Sequence, residues 1–215
     1  MQSSSSSEPF SAAMKDSLRD LLVQRALITG QQVTLSTGRV SNFYLNCKSV
    51  TLSSDGASLV ADAFLEKLAS LPEPVVAIGG RTLGADPIVG AVMMRALERG
   101  QPLEGFYVRD KQKTHGTKEL IANPPQPGAR VVVVDDVVTT GKSVIEAIDA
   151  AQAAGCIVVA AVALVDRQEE GGEANIRARV PHYFAIFTRL DFPEISESTS
   201  WDTTTSERRS TGIST

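Results

Sequence analysis

Five short apolar stretches, which alternate with helical patterns, constrain the fold of this chain more than any other feature. They are rich in β-branched or aromatic residues and read VVAIGG (75–80), LEGFYVR (103–109), RVVVVDD (130–136), CIVVAAVALVD (156–166) and HYFAIFTRL (182–190). Strands that are apolar along their whole length are covered on both faces, and such strands tend to pair in parallel. The sequence therefore predicts an α/β fold with an open, mainly parallel sheet flanked by helices.

Two connecting segments carry the helical patterns. In GKSVIEAIDAAQAAG (141–155), one helical face holds the apolar residues Val144, Ile145, Ile148 and Ala151. This segment ends at Gly155, and a similar segment at 83–100 ends at Gly100. Because glycine accepts a positive φ, it commonly follows the last turn of a helix. We expect one helix in each segment.

The two ends of the chain differ in composition from the middle. Residues 1–9 and 194–215 are rich in Ser and Thr and carry few apolar side chains, so they cannot bury enough surface to offset the entropy lost on ordering. Both ends are predicted to be disordered tails. Residues 10–193 remain as one domain, and the hydrophobic content of 42% is sufficient for a sizeable core.

Charge and cysteine content narrow the partners and the compartment. The net charge is −4 and no block of basic residues is present, which argues against binding to nucleic acid or to an anionic membrane. No stretch of about 18 uncharged apolar residues occurs, and the N-terminus lacks the pattern of a signal peptide. Cys47 and Cys156 lie far apart, and the apolar run around Cys156 indicates a buried free thiol. We expect a cytoplasmic protein whose partner is a small molecule.

The stretch VVVVDDVVTTGKS (131–143) predicts a ligand site. Its strand delivers Asp135 and Asp136 to the carboxyl edge of the sheet, where ligands bind in open α/β folds. The turn that follows offers backbone N–H groups, hydroxyls and a helix N-terminus, which together suit an anion. A nucleoside-triphosphate loop is excluded, because its first glycine would stand at Asp136. A phosphate loop beside two carboxylates, which accept hydrogen bonds from sugar hydroxyls, matches a phosphorylated ribose.

The alternative for the two carboxylates is purely structural. Asp135 and Asp136 could cap the helix and solvate the end of the strand. Two adjacent carboxylates repel each other, however, and need a ligand, a cation or hydrogen bonds to compensate. The ligand-binding interpretation is therefore favoured.

Four motifs together resemble one family. VVVVDDVVTTGKS resembles the 5-phosphoribosyl 1-pyrophosphate (PRPP) motif of type I phosphoribosyltransferases, and three further stretches are similar to motifs of orotate phosphoribosyltransferases. These are TLSTGRVSNFYLN (34–46), VRDKQKTHG (108–116) and LVDRQEEGG (164–172). The resemblance spans residues 10–193 and implies the type I phosphoribosyltransferase fold. It also implies a small hood over the sheet, formed by residues 10–60 and the region after 166.

The resemblance implies roles for the charged loop. Arg109, Lys113 and His115 match residues that contact pyrophosphate, and Lys113 and His115 match residues that reach the neighbouring subunit's site, which implies a homodimer. Cations and an imidazole in a mobile loop suit neutralisation of a leaving pyrophosphate. The alternative is a solvated charged loop. Two positions depart from the family pattern, because Ser36 and Asp110 stand where Lys is usual.

Further roles follow for the substrate-binding residues. Asp135 and Asp136 match residues that hold the ribose hydroxyls, while Arg167 and Tyr44 match residues at the orotate site. A planar guanidinium suits bidentate binding of a carboxylate, although Arg167 could instead form a surface ion pair with a following glutamate. The phosphate loop that follows the carboxylates consists of Val137, Val138, Thr139, Thr140, Gly141, Lys142 and Ser143. The Gly-rich turn at 79–84 matches a loop that touches pyrophosphate; a plain tight turn is the alternative.

The resemblance implies a magnesium-dependent enzyme that transfers ribose 5-phosphate from PRPP to orotate and so forms orotidine 5′-monophosphate and pyrophosphate. This reaction belongs to pyrimidine biosynthesis. Magnesium is expected to bind mainly through the substrate, because it prefers phosphate oxygens and water, and no cluster of protein ligands with metal-site spacing is apparent. Two alternatives are a purine-salvage phosphoribosyltransferase and a non-enzymatic RNA-binding regulator; the regulator requires a basic face that this acidic chain lacks.

Overall fold

The structure is a computed structural model, and it describes residues 10–34, 40–110 and 120–197. The helices are α1 (Ala12–Arg25), α2 (Lys48–Thr51), α3 (Ser54–Ala69), α4 (Asp86–Glu98), α5 (Lys142–Ala153), α6 (Gly172–Arg177) and α7 (Pro193–Glu197). The strands are β1 (Leu27–Thr34), β2 (Val40–Leu45), β3 (Ala77–Arg81), β4 (Glu104–Val108), β5 (Ile121–Ala122), β6 (Arg130–Val138), β7 (Ile157–Asp166) and β8 (His182–Thr188). A 3₁₀ turn, Arg189–Asp191, follows β8.

The central sheet contains six strands of the described chain, in the order β5-β4-β3-β6-β7-β8. Neighbouring strands are parallel from β4 to β8, and the short edge strand β5 pairs with β4 in the antiparallel direction. The predicted α/β fold with an open, mainly parallel sheet is confirmed, and all five predicted strands are present. The order places β6 between β3 and β7 in the interior of the sheet, so the segment that ends in the two carboxylates is a central strand.

The valines of β6 show why the sheet is covered on both faces. Val132 and Val134 pack into a core built with α1, α3 and α4, whereas Val131 and Val133 pack into a second core built with α5 and α6. All four side chains are buried. Since burying a valine contributes about 1.5–3 kcal/mol, this alternation holds the helical layers on opposite faces of one strand.

The two predicted helices, α4 and α5, end close to the glycines that were expected to stop them. Gly100 has φ of +71° and Gly155 has φ of +86°. The buried face of α5 differs slightly from the prediction, because Ala147 is fully buried and Ile145 only partly. The helix begins directly after the phosphate loop, so packing of its apolar face fixes the position of that loop.

A two-stranded antiparallel hairpin, β1–β2, lies outside the central sheet. Helix α1, which precedes it, is bound to the end of the chain, because the Arg19 guanidinium donates to the Asp191 carbonyl at 2.6 Å and to the Glu194 carboxylate at 2.7 Å. Helix α7 runs past residue 193, and its Ile195 is buried. The N-terminal segment and the segment after β8 therefore pack together, while residues 1–9 and 198–215 lie outside the described residues.

Within the described residues, none of the helices is both long enough and apolar enough to cross a membrane. Both cysteines, Cys47 and Cys156, are buried free thiols.

Candidate active site

The carboxyl ends of β3 and β6 form the two sides of a cavity of about 590 Å³. The two strands are direct neighbours in the sheet, so the turn after β3 and the loop after β6 face each other. The lining residues are Lys48, Asp110, the turn Arg81, Thr82, Leu83 and Gly84, and the continuous run from Asp135 to Val144. The cavity thus contains both predicted carboxylates and the whole predicted phosphate loop.

The two carboxylates are buried and held by a short hydrogen-bond network. Asp135 is 6% exposed and Asp136 is 8% exposed. The Asp136 amide donates to Asp135 Oδ1 at 2.9 Å, and the Val137 amide donates to Asp136 Oδ1 at 3.0 Å. Lys48 Nζ lies 3.1 Å from Asp136 Oδ2. These contacts supply the cation and hydrogen bonds that two adjacent carboxylates require.

Burial and mutual repulsion change the acidity of this pair. Burial raises the pKa of the Asp135 carboxyl well above its usual value, and the charge of Asp136 adds to the rise. Burial lowers the pKa of Lys48, but the charge and hydrogen bond of Asp136 outweigh that effect, so the pKa lies above its usual value. Lys48 therefore remains a cation beside the carboxylates.

Gly84 allows the turn after β3 to approach both carboxylates. A Cβ atom at this position would lie 2.6 Å from Asp135 Oδ1 and 2.6 Å from Asp136 Oδ1. Any other residue would therefore displace the carboxylates or the turn. The peptide bond between Thr82 and Leu83 in the same turn is cis.

The phosphate loop ends at an open helix N-terminus. Gly141 has φ of +77° and stands at the N-cap position of α5, where a glycine has no side chain with which to cap the helix. The Lys142 amide donates to Thr140 Oγ1 at 3.2 Å, while the Asn175 side-chain amide donates to the Thr140 carbonyl at 3.1 Å. The loop is thus held by one contact of its own and one from α6, and the first residues of α5, Lys142 and Ser143, line the cavity, where an anion is favoured.

Arg167 lies directly after β7 and is almost completely buried, with 2% exposure. Its guanidinium stacks on the Phe43 ring, with Cζ 4.0 Å from the ring centroid. Nη2 donates to Ser41 Oγ at 3.0 Å and to Glu169 Oε1 at 3.3 Å, while the buried Nε has no hydrogen-bond partner among the described residues. The ion pair with Glu169 exists, but it is a buried contact rather than the surface pair considered from the sequence.

The backbone around Arg167 is fixed from two sides. The Arg167 amide donates to the Val138 carbonyl at 2.9 Å, which ties it to the phosphate loop. Asp166 accepts from the Tyr183 hydroxyl at 2.8 Å and from the Gln168 amide at 2.7 Å. Burial, together with this hydrogen bond, raises the pKa of Tyr183, so the phenol stays protonated and keeps donating.

Of the remaining residues predicted from the sequence, the structure describes Tyr44 and Arg109 but not Ser36, Lys113 or His115. Tyr44 is 39% exposed and lies on the face of β2 opposite to Phe43. The Arg109 amide donates to the Leu120 carbonyl at 3.0 Å, which fixes the backbone where the charged loop begins. Ser36, Lys113 and His115 lie outside the described residues.

Sequence reasoning missed several residues that contribute to the site. Phe43 and Ser41 contact Arg167, and their alternation along β2 could have identified them, because Ser41, Phe43 and Leu45 share one face. Lys48 is another, and its contact with Asp136 depends on tertiary packing between α2 and β6. Arg81 also lines the cavity, and it belongs to the Gly-rich turn at 79–84 that was matched to a pyrophosphate loop from the sequence.

Comparison with known proteins agrees with this geometry. A model of the phosphoribosyl transferase domain matches residues 73–202. Orotate phosphoribosyltransferase of Thermosynechococcus vestitus is 44% identical over 171 residues, which cover 79% of this chain and 88% of the relative. The enzyme of the same name from Nostoc sp. is 40% identical and covers 85% of this chain and 87% of the relative. The chain belongs to the orotate phosphoribosyltransferase family.

Solved structures of the orotate phosphoribosyltransferase family share the fold. The Mycobacterium tuberculosis orotate phosphoribosyltransferase in complex with Fe(III) dicitrate has a TM-score of 0.72 and 32% identity, covering 83% of this chain and 98% of that chain. The same enzyme in complex with PRPP has a TM-score of 0.68 and 30% identity, covering 84% of this chain and 99% of that chain. Adenine phosphoribosyltransferase of Trypanosoma brucei, at 14% identity and a TM-score of 0.62, shares the fold alone.

The raised pKa of Asp135 gives stability a defined pH dependence. Because the folded protein holds this proton more tightly than the unfolded chain, the carboxyl favours folding at low pH, and this contribution is lost as the pH rises through the folded-state pKa. Replacing Asp135→Asn removes the charge and keeps an acceptor for the Asp136 amide. We compare the free energy of unfolding of the variant with that of the wild type at each pH. The difference, variant minus wild type, should be about 1 kcal/mol larger at pH 8 than at pH 5.

Urea unfolding at the two pH values measures this difference. Asp149→Asn, on the exposed side of α5, serves as a matched control and should show a pH-dependent difference below about 0.5 kcal/mol. An Asp135→Asn effect that is equal at both pH values would contradict the assignment of a raised pKa to Asp135.

Proposed function

We propose that this protein transfers ribose 5-phosphate from PRPP to orotate, giving orotidine 5′-monophosphate and pyrophosphate. Membership of the orotate phosphoribosyltransferase family supports the reaction. The single observation that carries the choice of base is Arg167, a buried guanidinium whose Nε has no partner among the residues that the structure describes. It stacks on Phe43, and its amide is bonded to the phosphate loop. Glu169 already pairs with the guanidinium at 3.3 Å, but the planar fork keeps donors for a second carboxylate, and the orotate carboxylate is one.

The assignment of PRPP to the cavity follows from the order of the groups along its wall. The amides and hydroxyls from Thr139 to Ser143 bind the 5′-phosphate at the N-terminus of α5. Asp135 and Asp136 accept hydrogen bonds from the ribose hydroxyls, and Lys48 keeps the pair partly neutralised. Val137 and Val138 contribute backbone atoms between the two groups. The pyrophosphate group then faces the turn after β3.

The base lies on the side of the phosphate loop that leads to β7. Arg167 binds the orotate carboxylate with its planar fork, and Phe43 and Ser41 on β2 hold that fork in one orientation. Tyr44, on the opposite face of β2, is assigned to the orotate site from the family motif. The hairpin contributes to a hood, formed by residues 10–60 and the region after 166, which orients the base and excludes water from the reacting carbon.

The chemical step needs charge neutralisation rather than a strong nucleophile. As the bond between ribose and pyrophosphate breaks, positive charge develops on the sugar and negative charge on the departing group. The carboxylates of Asp135 and Asp136 lie beside the sugar. Arg109, Lys113 and His115 neutralise the pyrophosphate, a role assigned from the family motif.

Magnesium is the metal that these donors suit. The cavity offers carboxylate oxygens beside the place where ribose hydroxyls and pyrophosphate oxygens would bind, and hard oxygen donors are what magnesium prefers. Among the described residues, no group of three or more His, Cys, Asp or Glu side chains could hold a metal ion. We assign magnesium to the substrate because phosphate oxygens are its preferred ligands, and Asp135 and Asp136 would accept hydrogen bonds from water bound to it. When bound, it offsets the charge of the pyrophosphate.

A cytoplasmic location suits the cysteine chemistry of the chain. Cys47 and Cys156 are both buried and free, and burial raises the pKa of each thiol, so neither is activated for disulfide formation. A reducing compartment is compatible with two such thiols.

Replacing Arg167→Lys tests the assignment of the base. A lysine keeps the positive charge but loses the planar fork, so we expect the KM for orotate to rise about tenfold or more while the Kd for PRPP stays within about twofold. Steady-state kinetics and calorimetric binding of PRPP provide the two readouts. Arg179→Lys changes an exposed arginine that pairs with Asp149 and should leave both values unchanged. Equal losses for orotate and PRPP would contradict a base-specific role.

A homodimer with shared loops is the proposed assembly. The family motif assigns Lys113 and His115 to the partner's site, and α4 exposes the apolar side chains of Met94 and Leu97, which a second copy would cover. Each active site would then combine residues from two chains.

Mixing two inactive variants tests this assembly. Lys113→Ala and Asp136→Asn damage different parts of the same site. In a mixed dimer, one site has both lesions and the other has neither, so an equimolar mixture should recover roughly a quarter of wild-type activity after subunit exchange. Mass measurement of the exchanged dimers confirms that mixing occurred. If exchanged mixtures stay as inactive as each variant alone, the loop acts within its own subunit.

A further inference from the structure

Arg81 crosses the mouth of the cavity and is held by two carboxylates. It is the last residue of β3, and its Nε lies 2.7 Å from Asp110 Oδ1, while Nη1 donates to Glu146 Oε2. Asp110 follows β4, whose Val108 pairs with Arg81 in the sheet, and Glu146 lies one turn into α5. The guanidinium therefore connects the strand on one side of the cavity to the helix on the other.

The lining residues that the structure describes carry no net positive charge for an anionic substrate. Among the described lining residues, three cations (Lys48, Arg81 and Lys142) face three carboxylates (Asp110, Asp135 and Asp136), so the formal charges cancel. Lys48 pairs with Asp136, while the Lys142 side chain is 77% exposed and its Nζ lies 3.9 Å from Glu146 Oε1. Arg81 differs from both of these lysines. Its side chain is 24% exposed, and the two acids that hold it are more exposed than it is.

The two acids are exposed much more than the arginine they hold. The side chain of Asp110 is 64% exposed and that of Glu146 is 41% exposed, compared with 24% for Arg81. Ion pairs between exposed groups are weak, because water solvates the carboxylates well when the pair opens. A phosphate group, in contrast, offers two oxygens that can both accept from the planar guanidinium, and it carries more charge than a carboxylate.

We propose that Asp110 and Glu146 compete with the pyrophosphate group of PRPP for Arg81, so that the substrate binds by an ion-pair exchange at the cavity mouth. This inference rests on the proposed function, since it takes PRPP as the ligand. Asp135 and Asp136, the carboxylates assigned to the ribose, lie between the phosphate loop and the turn that begins at Arg81, and a Cβ atom at Gly84 would lie 2.6 Å from each of them. With the 5′-phosphate on the phosphate loop, the pyrophosphate is the group that faces Arg81.

A purely structural role for Arg81 makes a different prediction. If the three side chains only brace β4 against α5, removing either the arginine or an acid opens the same brace and weakens binding. If the acids compete with the ligand, removing an acid frees Arg81 and strengthens binding. The two roles therefore differ in the sign of the effect at Asp110 and Glu146.

Calorimetric titration with PRPP, pyrophosphate and ribose 5-phosphate distinguishes these signs. For Arg81→Ala, we expect the Kd for PRPP and for pyrophosphate to rise about tenfold or more, with that for ribose 5-phosphate within about twofold. For Asp110→Asn and Glu146→Gln, we expect the Kd for PRPP to fall by about two- to fivefold. Arg179→Ala removes an exposed arginine that pairs with an acid of α5 outside the cavity, and it should change none of these values.

Several results would overturn the inference. They are a rise in the Kd for PRPP in both acid variants, an Arg81→Ala effect within twofold, or a loss confined to ribose 5-phosphate. Thermal unfolding of each variant identifies any loss that comes from misfolding, and the two acid variants change only exposed groups. Turnover of orotate by the wild type is measured separately. Absence of turnover in the wild type would contradict the proposed function, whereas the Kd values of the variants for PRPP test the ion-pair exchange.

Discussion

The structure depends on the burial of two adjacent carboxylates at the end of its central strand. Asp135 and Asp136 would repel each other and lose hydration if they were not held by neighbouring amides and Lys48. The chain meets this need with β6 in the middle of the sheet, α2 close enough to supply the lysine, and a glycine at position 84 that leaves room for both groups. The same arrangement brings the phosphate loop and the turn after β3 to opposite sides of one cavity.

The fold could be predicted from the sequence because its strongest signals are local. The valines of β6, the apolar face of α5 and the glycines that end α4 and α5 each act through neighbouring residues, and the order of such elements restricts an α/β sheet to few topologies. The run from Asp135 to Ser143 was likewise predictable, since it is continuous in the chain and its chemistry follows from a strand, a turn and a helix N-terminus.

The contacts between distant segments could not be predicted in this way. Lys48 reaches Asp136 from 88 positions away, and Arg167 meets Ser41 across 126 positions. Phe43 and Tyr44 are adjacent in β2 and therefore lie on opposite faces of the strand. The face that packs on Arg167 could not be read from the sequence, and the family motif drew attention to Tyr44 rather than to Phe43. The ion pairs of Arg81 depend on the register between β3 and β4 and on the packing of α5, neither of which a single sequence reveals.

Base specificity therefore lies in side chains rather than in the sheet. A structural neighbour that acts on adenine, by its name, shares this fold at 14% identity, so the fold alone does not select the base.

The most direct measurement is the change in absorbance of orotate, with adenine, hypoxanthine and uracil in parallel, when the wild-type protein is mixed with PRPP and magnesium. Our account predicts turnover of orotate alone, which is lost when EDTA is added and restored by magnesium. Turnover of a purine base, or binding of PRPP without turnover of any base, would contradict it.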